Sequence, residues 1–194
     1  MEKVLSKIRL YVTELFARRD MPFLIYHNLH HTETVVERAN EIANHYAVNE
    51  TDKFCLLSAA WFHDTGHLFN ELKEHEKTGV DLMDSFLKTN FIEEGLIEII
   101  SGCIMATKIP SYPKTEIEKI ICDADTYHFG TKEFRVSDPK VYEEMELRLH
   151  VHIENKTLKS IRLLESHKYF TSYCQELLNK GKQENIVFLK QSIK

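Results

Sequence analysis

The apolar residues of this chain recur at helical spacing along almost its whole length, and this pattern is the strongest constraint on its fold. In the first eighteen residues they fall at the i, i+3, i+4 and i+7 positions of one helix face. No segment alternates apolar and polar residues with the period of two that a half-buried strand requires. Only six glycines and four prolines occur in 194 residues, too few for a turn-rich β protein. The sequence therefore predicts an all-α fold.

Breaks in the pattern divide the chain into ten predicted helices. Pro22 ends the first one, and Pro110 and Pro113 separate the fifth from the sixth. Thr51-Asp52 is predicted to cap the third. No repeat, low-complexity tract or linker interrupts the chain, so we expect a single domain over 1–194. The predicted helices cover residues 2–18, 32–47, 52–64, 72–88, 91–107, 115–128, 139–154, 156–166, 168–180 and 183–192.

Composition limits the partners and the compartment. Lys and Arg total 25 against 30 Asp and Glu, and this net charge of −5 argues against binding a nucleic-acid polymer. The four cysteines form no C-x-x-C pair, which predicts free buried thiols in a reducing compartment. The first twenty residues lack the apolar core of a signal peptide, and no stretch approaches the roughly 18 apolar residues of a membrane span. We expect a cytoplasmic protein without a membrane partner.

Polar residues follow an apolar run in the stretch AAWFHDTGH, at the end of the predicted third helix. His63 and Asp64 follow LLSAAWF and should be at least partly buried. A buried carboxylate and imidazole are costly unless they are paired or bind a metal. Adjacent residues diverge by about 100° around a helix, but long side chains converge where the helix ends. One interpretation is that these two groups share a cation, and the other is a hydrogen-bonded cluster without metal.

Two more residues would complete a coordination sphere. His31 opens the predicted second helix, and Asp125 lies near the end of another. A helical bundle can project such residues inward from different helices. Two imidazoles and two carboxylates suit Mn, Fe, Zn, Ni or Mg. Asp123, two residues from Asp125, should face another direction, which favours a surface or capping role.

Three motifs stand in order along the chain: Tyr26-His27-Asn28-x-x-His31, Phe62-His63-Asp64 and Asp123-Ala124-Asp125. This ordered set resembles the HD superfamily of metal-dependent phosphohydrolases. The similarity covers about residues 23–130, and segments 167–171 and 181–186 resemble the C-terminal helices of small bacterial HD proteins. The resemblance implies a helical bundle with an HD-like core, on which the N-terminal helix and extra C-terminal helices pack. It implies four metal ligands: His31, His63, Asp64 and Asp125.

The chain departs from HD proteins that hold two metals. Such proteins carry further histidines, one in a segment similar to His75-Glu76-Lys77-Thr78-Gly79 and a pair after the next helix. His75 is present, but the later position contains Met105-Ala106-Thr107-Lys108. A lysine there would put a cation where a second metal would otherwise bind. We therefore expect one divalent ion per chain, with Mn, Ni, Co, Fe, Zn and Mg as candidates.

Several residues near the motifs are candidates for substrate contact, each with a structural alternative. His27 matches a proton donor of some HD phosphodiesterases, or is a loop histidine bonded to backbone. His67 and His75 either contact phosphate or form a partial second site, or are solvated. Lys108 and Lys114 either pair with substrate phosphate or point into solvent. The aromatic residues of segment 127–129 either stack on a base or belong to the core.

The sequence favours a hydrolase whose metal-activated water attacks a small phosphorylated metabolite, most plausibly a nucleotide. His27, Asp64, His67 and Lys108 are the predicted catalytic residues. The alternative is a metal- and nucleotide-binding regulatory module with negligible turnover, and an oxygenase ranks third. Tyr169, Phe170 and Phe188 belong either to the core or to the face of a homodimer.

Overall fold

A computed structural model describes residues 1–19, 21–69 and 73–193 of the chain. Within these ranges the chain forms nine α-helices and two 3₁₀ turns, Thr65–Phe69 and Tyr127–Gly130, and no strand, which confirms the all-α prediction. The helices are α1 (Glu2–Arg18), α2 (Leu29–His45), α3 (Glu50–Phe62), α4 (His75–Thr89), α5 (Glu94–Ala106), α6 (Glu116–Asp125), α7 (Phe134–Leu149), α8 (Lys156–Ser166) and α9 (Ser172–Ser192). The predicted start of the fourth helix at residue 72 lies outside the described residues.

The first of two compact units comprises Met1–Met21 and His27–Asp125. Helix α3 lies at its centre and contacts α1, α2, α4, α5 and α6. Its sequence is apolar on every side after the first turn, as expected of a helix surrounded by others. Phe54, Leu56 and Phe62 are completely buried. The residues that follow Phe62 therefore begin inside the unit rather than at its surface.

Asparagine side chains start two helices of this unit. Asn28 accepts a hydrogen bond from the backbone N–H of His31, so α2 begins earlier than predicted and His31 lies within its first turn. Asn49 accepts from the N–H groups of Thr51 and Asp52 and caps α3. The prediction that Thr51-Asp52 itself is the cap was wrong, because these residues supply the donors and not the acceptor.

Two glycines allow the start of α4 to pack directly on the end of α3. A Cβ on Gly66 would lie 2.0 Å from the carbonyl oxygen of His75, and one on Gly79 would lie 2.7 Å from that of Phe62. Neither position can carry a larger residue without a backbone shift. This close approach places the 3₁₀ turn and the first turn of α4 side by side.

The second unit comprises Pro22–Tyr26 and Thr126–Lys194. In it, α7 begins at Phe134, not at 139 as predicted, and Pro139 lies inside the helix. Burial of Phe134, which is 1 % exposed, outweighs the hydrogen bond that the proline forgoes. That the whole of 1–194 is one domain stays a prediction.

Helix α9 is continuous through Gly181, where the sequence predicts a break between two helices. A Cβ on Gly181 would lie 1.9 Å from the carbonyl oxygen of Gly130 in the second 3₁₀ turn. This glycine therefore serves close packing within the unit and does not end the helix.

The four cysteines are free and buried, as predicted. In the described part of the chain, no helix combines the length and the apolar character needed to cross a membrane.

Candidate metal centre

The end of α3 places His63 and Asp64 in the interior of the first unit, where they are 0 % and 4 % exposed. The predicted burial of both is therefore confirmed. The Nδ1 atom of His63 lies 2.9 Å from the carbonyl oxygen of Ala60. Since a carbonyl oxygen only accepts, Nδ1 carries a proton in this contact, and Nε2 of the neutral ring keeps its lone pair. A metal-binding imidazole is held in the same way, with its second nitrogen bonded to a backbone oxygen.

Two other helices bring His31 and Asp125 to the same place. His31 comes from the first turn of α2 and is buried, whereas the side chain of Asp125, the last residue of α6, is 19 % exposed. The four nitrogen–oxygen distances are His31 Nε2 to Asp64 Oδ2, 3.3 Å; His31 Nε2 to Asp125 Oδ1, 3.2 Å; His63 Nε2 to Asp64 Oδ2, 3.2 Å; and His63 Nε2 to Asp125 Oδ1, 3.6 Å. All four residues singled out in the sequence therefore meet.

These distances fit ligands of one divalent ion. Donor atoms bonded at about 2.0–2.2 Å to one ion lie about 2.8–3.6 Å from each other in tetrahedral or octahedral arrangements. His63 Nε2 and Asp64 Oδ2 are buried and make no aligned hydrogen bond, although they are close together. One ion between the four side chains would satisfy both atoms, and His31, His63 and Asp125 lie close enough to bind it jointly.

The charges of this cluster reinforce each other. Burial alone would lower the pKa of His63, but Asp64 and Asp125 outweigh it and hold that pKa well above its usual range. The pKa of His31 is likewise raised, against burial, by both carboxylates. Burial opposes ionisation of the carboxyl groups, yet the two imidazoles hold the pKa values of Asp64 and Asp125 below their usual range. Without metal, protonation of the two imidazoles is therefore favoured, and the protonated rings supply the positive charge that balances the two carboxylates.

A second group of possible ligands uses the other oxygen of Asp64. His67 Nε2 lies 3.8 Å and His75 Nε2 3.7 Å from Asp64 Oδ1, and the three side chains are close enough to hold an ion. The imidazole rings of His67 and His75 stack with centroids 3.9 Å apart. Asp64 therefore faces two groups, one through each carboxylate oxygen.

The histidines on this side form a row. The ring of His27 lies 4.2 Å from that of His67, which in turn stacks on His75. His67 is 3 % exposed, so the interpretation of it as a solvated loop residue was wrong. Its burial follows from the close packing at Gly66. His27 and His75, at the two ends of the row, remain partly exposed.

The remaining candidates lie in different environments. Lys108 is 48 % exposed, and its ammonium group lies 3.7 Å from Glu74 Oε1. Lys114 is exposed. Asp123 is completely buried, together with the other residues of segment 120–124 in α6, so the surface role predicted for it was wrong, and the capping role stays a prediction. In the second unit, the aromatic residues Tyr127 and Phe129 are buried.

Comparison with known families identifies this region. A model of the HD domain matches residues 28–130, which is more than half of the chain. The chain belongs to the HD domain family. HD domains are typically metal-dependent phosphohydrolases, and the buried His/Asp cluster of this one is consistent with a metal site. Searches of curated proteins and of solved structures found no match.

One buried residue beside the HD motif was missed in the sequence. Glu76 is 4 % exposed, although it belongs to the charged run KEHEK, which is typical of a solvated helix face. Its position directly after His75 was the only signal in the sequence. Helix α4, which carries Glu76, packs on α3, α5 and the first 3₁₀ turn, and the local pattern of the sequence does not contain this packing.

Proposed function

We propose that this HD domain protein is a metal-dependent phosphohydrolase of a small phosphorylated metabolite, with nucleotides as the first substrate class. The observation that carries the proposal is the convergence of His31, His63, Asp64 and Asp125 at distances suited to one ion, inside a domain of this family. The net charge of −5 supports a small substrate over a nucleic-acid polymer.

The four residues would hold the ion with two nitrogens and two carboxylates, so that the carboxylates balance a divalent charge. When bound, such an ion lowers the pKa of a water and draws charge from a phosphoryl oxygen. Asp125, His27 and His75 are partly exposed at this place, and in this proposal substrate approaches on the side of Asp125 and His27. The buried His63 is fixed by Ala60 and needs no rearrangement before binding.

Three further residues act on the substrate in this proposal. His27 donates a proton to the leaving oxygen, because it is partly exposed and its ring lies against that of His67. His67 holds a phosphoryl oxygen by hydrogen bonding. Lys108 attracts phosphate as a point charge, and substrate would compete with Glu74 for its ammonium group.

Phosphate release from metal-free protein after separate addition of Mn, Ni, Co, Fe, Zn or Mg tests the proposal. The panel contains mononucleotides, dinucleotides, cyclic nucleotides and sugar phosphates. His31→Ala should abolish metal retention and turnover, whereas the matched control His30→Ala removes an exposed neighbouring imidazole and should change neither.

The outcomes separate the two functions. Turnover that is restored by one ion and lost in His31→Ala supports the hydrolase. A tightly bound ion without turnover on any substrate would instead favour the metal- and nucleotide-binding regulatory module. Full turnover in His31→Ala would contradict the proposed mechanism.

A further inference from the structure

Glu76 is a buried carboxylate that the HD motif leaves without a role. It lies in the first turn of α4, and its side chain is 5 % exposed. Its Oε2 atom is buried and has no hydrogen-bond partner among the described residues. An ionised carboxylate in such surroundings is costly unless a positive charge lies close by.

Glu76 contacts His75, which belongs to the second group of possible ligands. Its Oε1 atom lies 3.4 Å from His75 Nε2, and the same nitrogen lies 3.7 Å from Asp64 Oδ1. The imidazole nitrogen therefore stands between two buried carboxylates. Within the described part of the chain, His75 is the ion-pair partner of Glu76, and neither a lysine nor an arginine pairs with it.

A purely structural role would not explain why Glu76 is buried beside His75. An acidic residue in the first turn stabilises a helix through the helix dipole, but an exposed side chain does so equally well. Glu76 accepts no backbone hydrogen bond that caps α4. Neither effect accounts for its burial beside a histidine that faces Asp64.

We propose that Glu76 is an anionic group of the metal centre and stabilises a divalent cation bound by Asp64 and His75. This inference rests on the proposed function, since it requires that the cluster binds metal. Asp64 shares its charge with the group that contains Asp125, and Glu76 adds a second buried carboxylate beside His75. A cation bound beside His75 would attract the carboxylate of Glu76 and so offset the free-energy cost of its burial.

Titration of metal-free protein with Mn²⁺ in a calorimeter, repeated with Zn²⁺, tests the role of Glu76. Glu76→Gln keeps the shape of the side chain and removes its charge. It should weaken the ion bound at this side about 10–100-fold, the range seen when groups that support metal ligands are replaced. The matched control Glu74→Gln removes a charge two residues earlier, where the side chain is 60 % exposed, and should change the affinity less than twofold.

A second variant separates charge from packing. Glu76→Asp keeps the charge on a shorter side chain and should retain more affinity than Glu76→Gln. Thermal unfolding provides a further readout. Because Glu76→Gln removes a buried charge, the variant should melt at or above the wild-type temperature without metal. Addition of Mn²⁺ should raise its melting temperature less than that of the wild type.

Each result decides between the alternatives. Wild-type affinity in Glu76→Gln, or equal losses in Glu76→Gln and Glu76→Asp, would overturn the role of Glu76 and leave the proposed hydrolase intact. Wild-type protein that binds neither Mn²⁺ nor Zn²⁺ would contradict the proposed metal site, and the inference with it. Weaker binding in Glu76→Gln alone supports the inference.

Discussion

Replacing Gly66 by alanine should separate the two backbones that place His67 beside His75. The new Cβ would lie 2.0 Å from the carbonyl oxygen of His75, and a Cβ does not approach another atom within 3.0 Å. One of the two backbones must therefore move by about 1 Å. The opposing atom belongs to the backbone and not to the end of a flexible side chain, so a change of rotamer cannot relieve the contact.

The size of the effect follows from this displacement. Overpacking of a well-packed interior costs about 1–3 kcal/mol. For a chain of this length, each kcal/mol lowers the melting temperature by about 2–4 °C, so Gly66→Ala should melt about 2–12 °C below the wild type. A misplacement of about 1 Å can cost about 100-fold in turnover. Because His75 moves with the start of α4, phosphate release should fall by about this factor.

Thermal unfolding and phosphate release, measured on the same preparations, check both numbers. Gly95→Ala is the matched control, since a Cβ on this helical glycine would meet nothing within 4 Å. It should raise stability by up to about 1 kcal/mol and leave turnover unchanged. A Gly66→Ala variant with the wild-type melting temperature and turnover would refute the packing argument.

Three further outcomes are expected. Because the carboxylates raise the pKa values of His31 and His63, metal binding must displace protons, so affinity should fall as the pH falls. Calorimetry in two buffers of different ionisation enthalpy should show this proton release, and its absence would contradict the assignment. Burial raises the pKa of Cys55 to about 11 and encloses the other thiols, so a thiol reagent should label native protein only at the rate of unfolding, and rapid labelling would argue against this packing. Ser160→Ala should cost about 1–3 kcal/mol by removing the hydrogen-bond donor to Asp138, and an unchanged denaturation midpoint would show that water replaces it.

The periodicity of apolar residues predicted the helices well where local sequence decides their limits. Helix α1 has the predicted bounds, because its apolar face continues without interruption until shortly before Pro22. The predicted helix bounds were wrong where a contact with a distant part of the chain determines them. Gly181 is compatible with a continuous α9 because it packs on Gly130, and Pro139 stays inside α7 because Phe134 is buried. Neither contact is visible in a local window of the sequence.

In the candidate site, too, the sequence predicted some features and missed those that depend on distant contacts. The order of the motifs pointed to the four residues that converge through the resemblance to the HD superfamily, whereas the observed start of α2 and the end of α6 differ from the predicted ones. Burial of Asp123 and Glu76 could not be predicted in this way. Glu76 lies in the charged run KEHEK and Asp123 two residues before Asp125, and both are on helices, α4 and α6, that pack against other helices of the first unit. That the four residues bind metal stays a prediction.

The number of ions that the chain holds depends on how its carboxylates are shared. The prediction of one ion rests on Lys108, but its side chain is half exposed and its ammonium group lies beside Glu74. The group around His31 and His63 contains Asp125 and one oxygen of Asp64, two carboxylates for one divalent charge. In the group of Asp64, His67 and His75, the carboxylate ligand is the other oxygen of Asp64, and Glu76 lies beside His75. An ion beside Asp125 should therefore bind first and more tightly, and we expect the charge of Glu76 to determine whether a second ion follows.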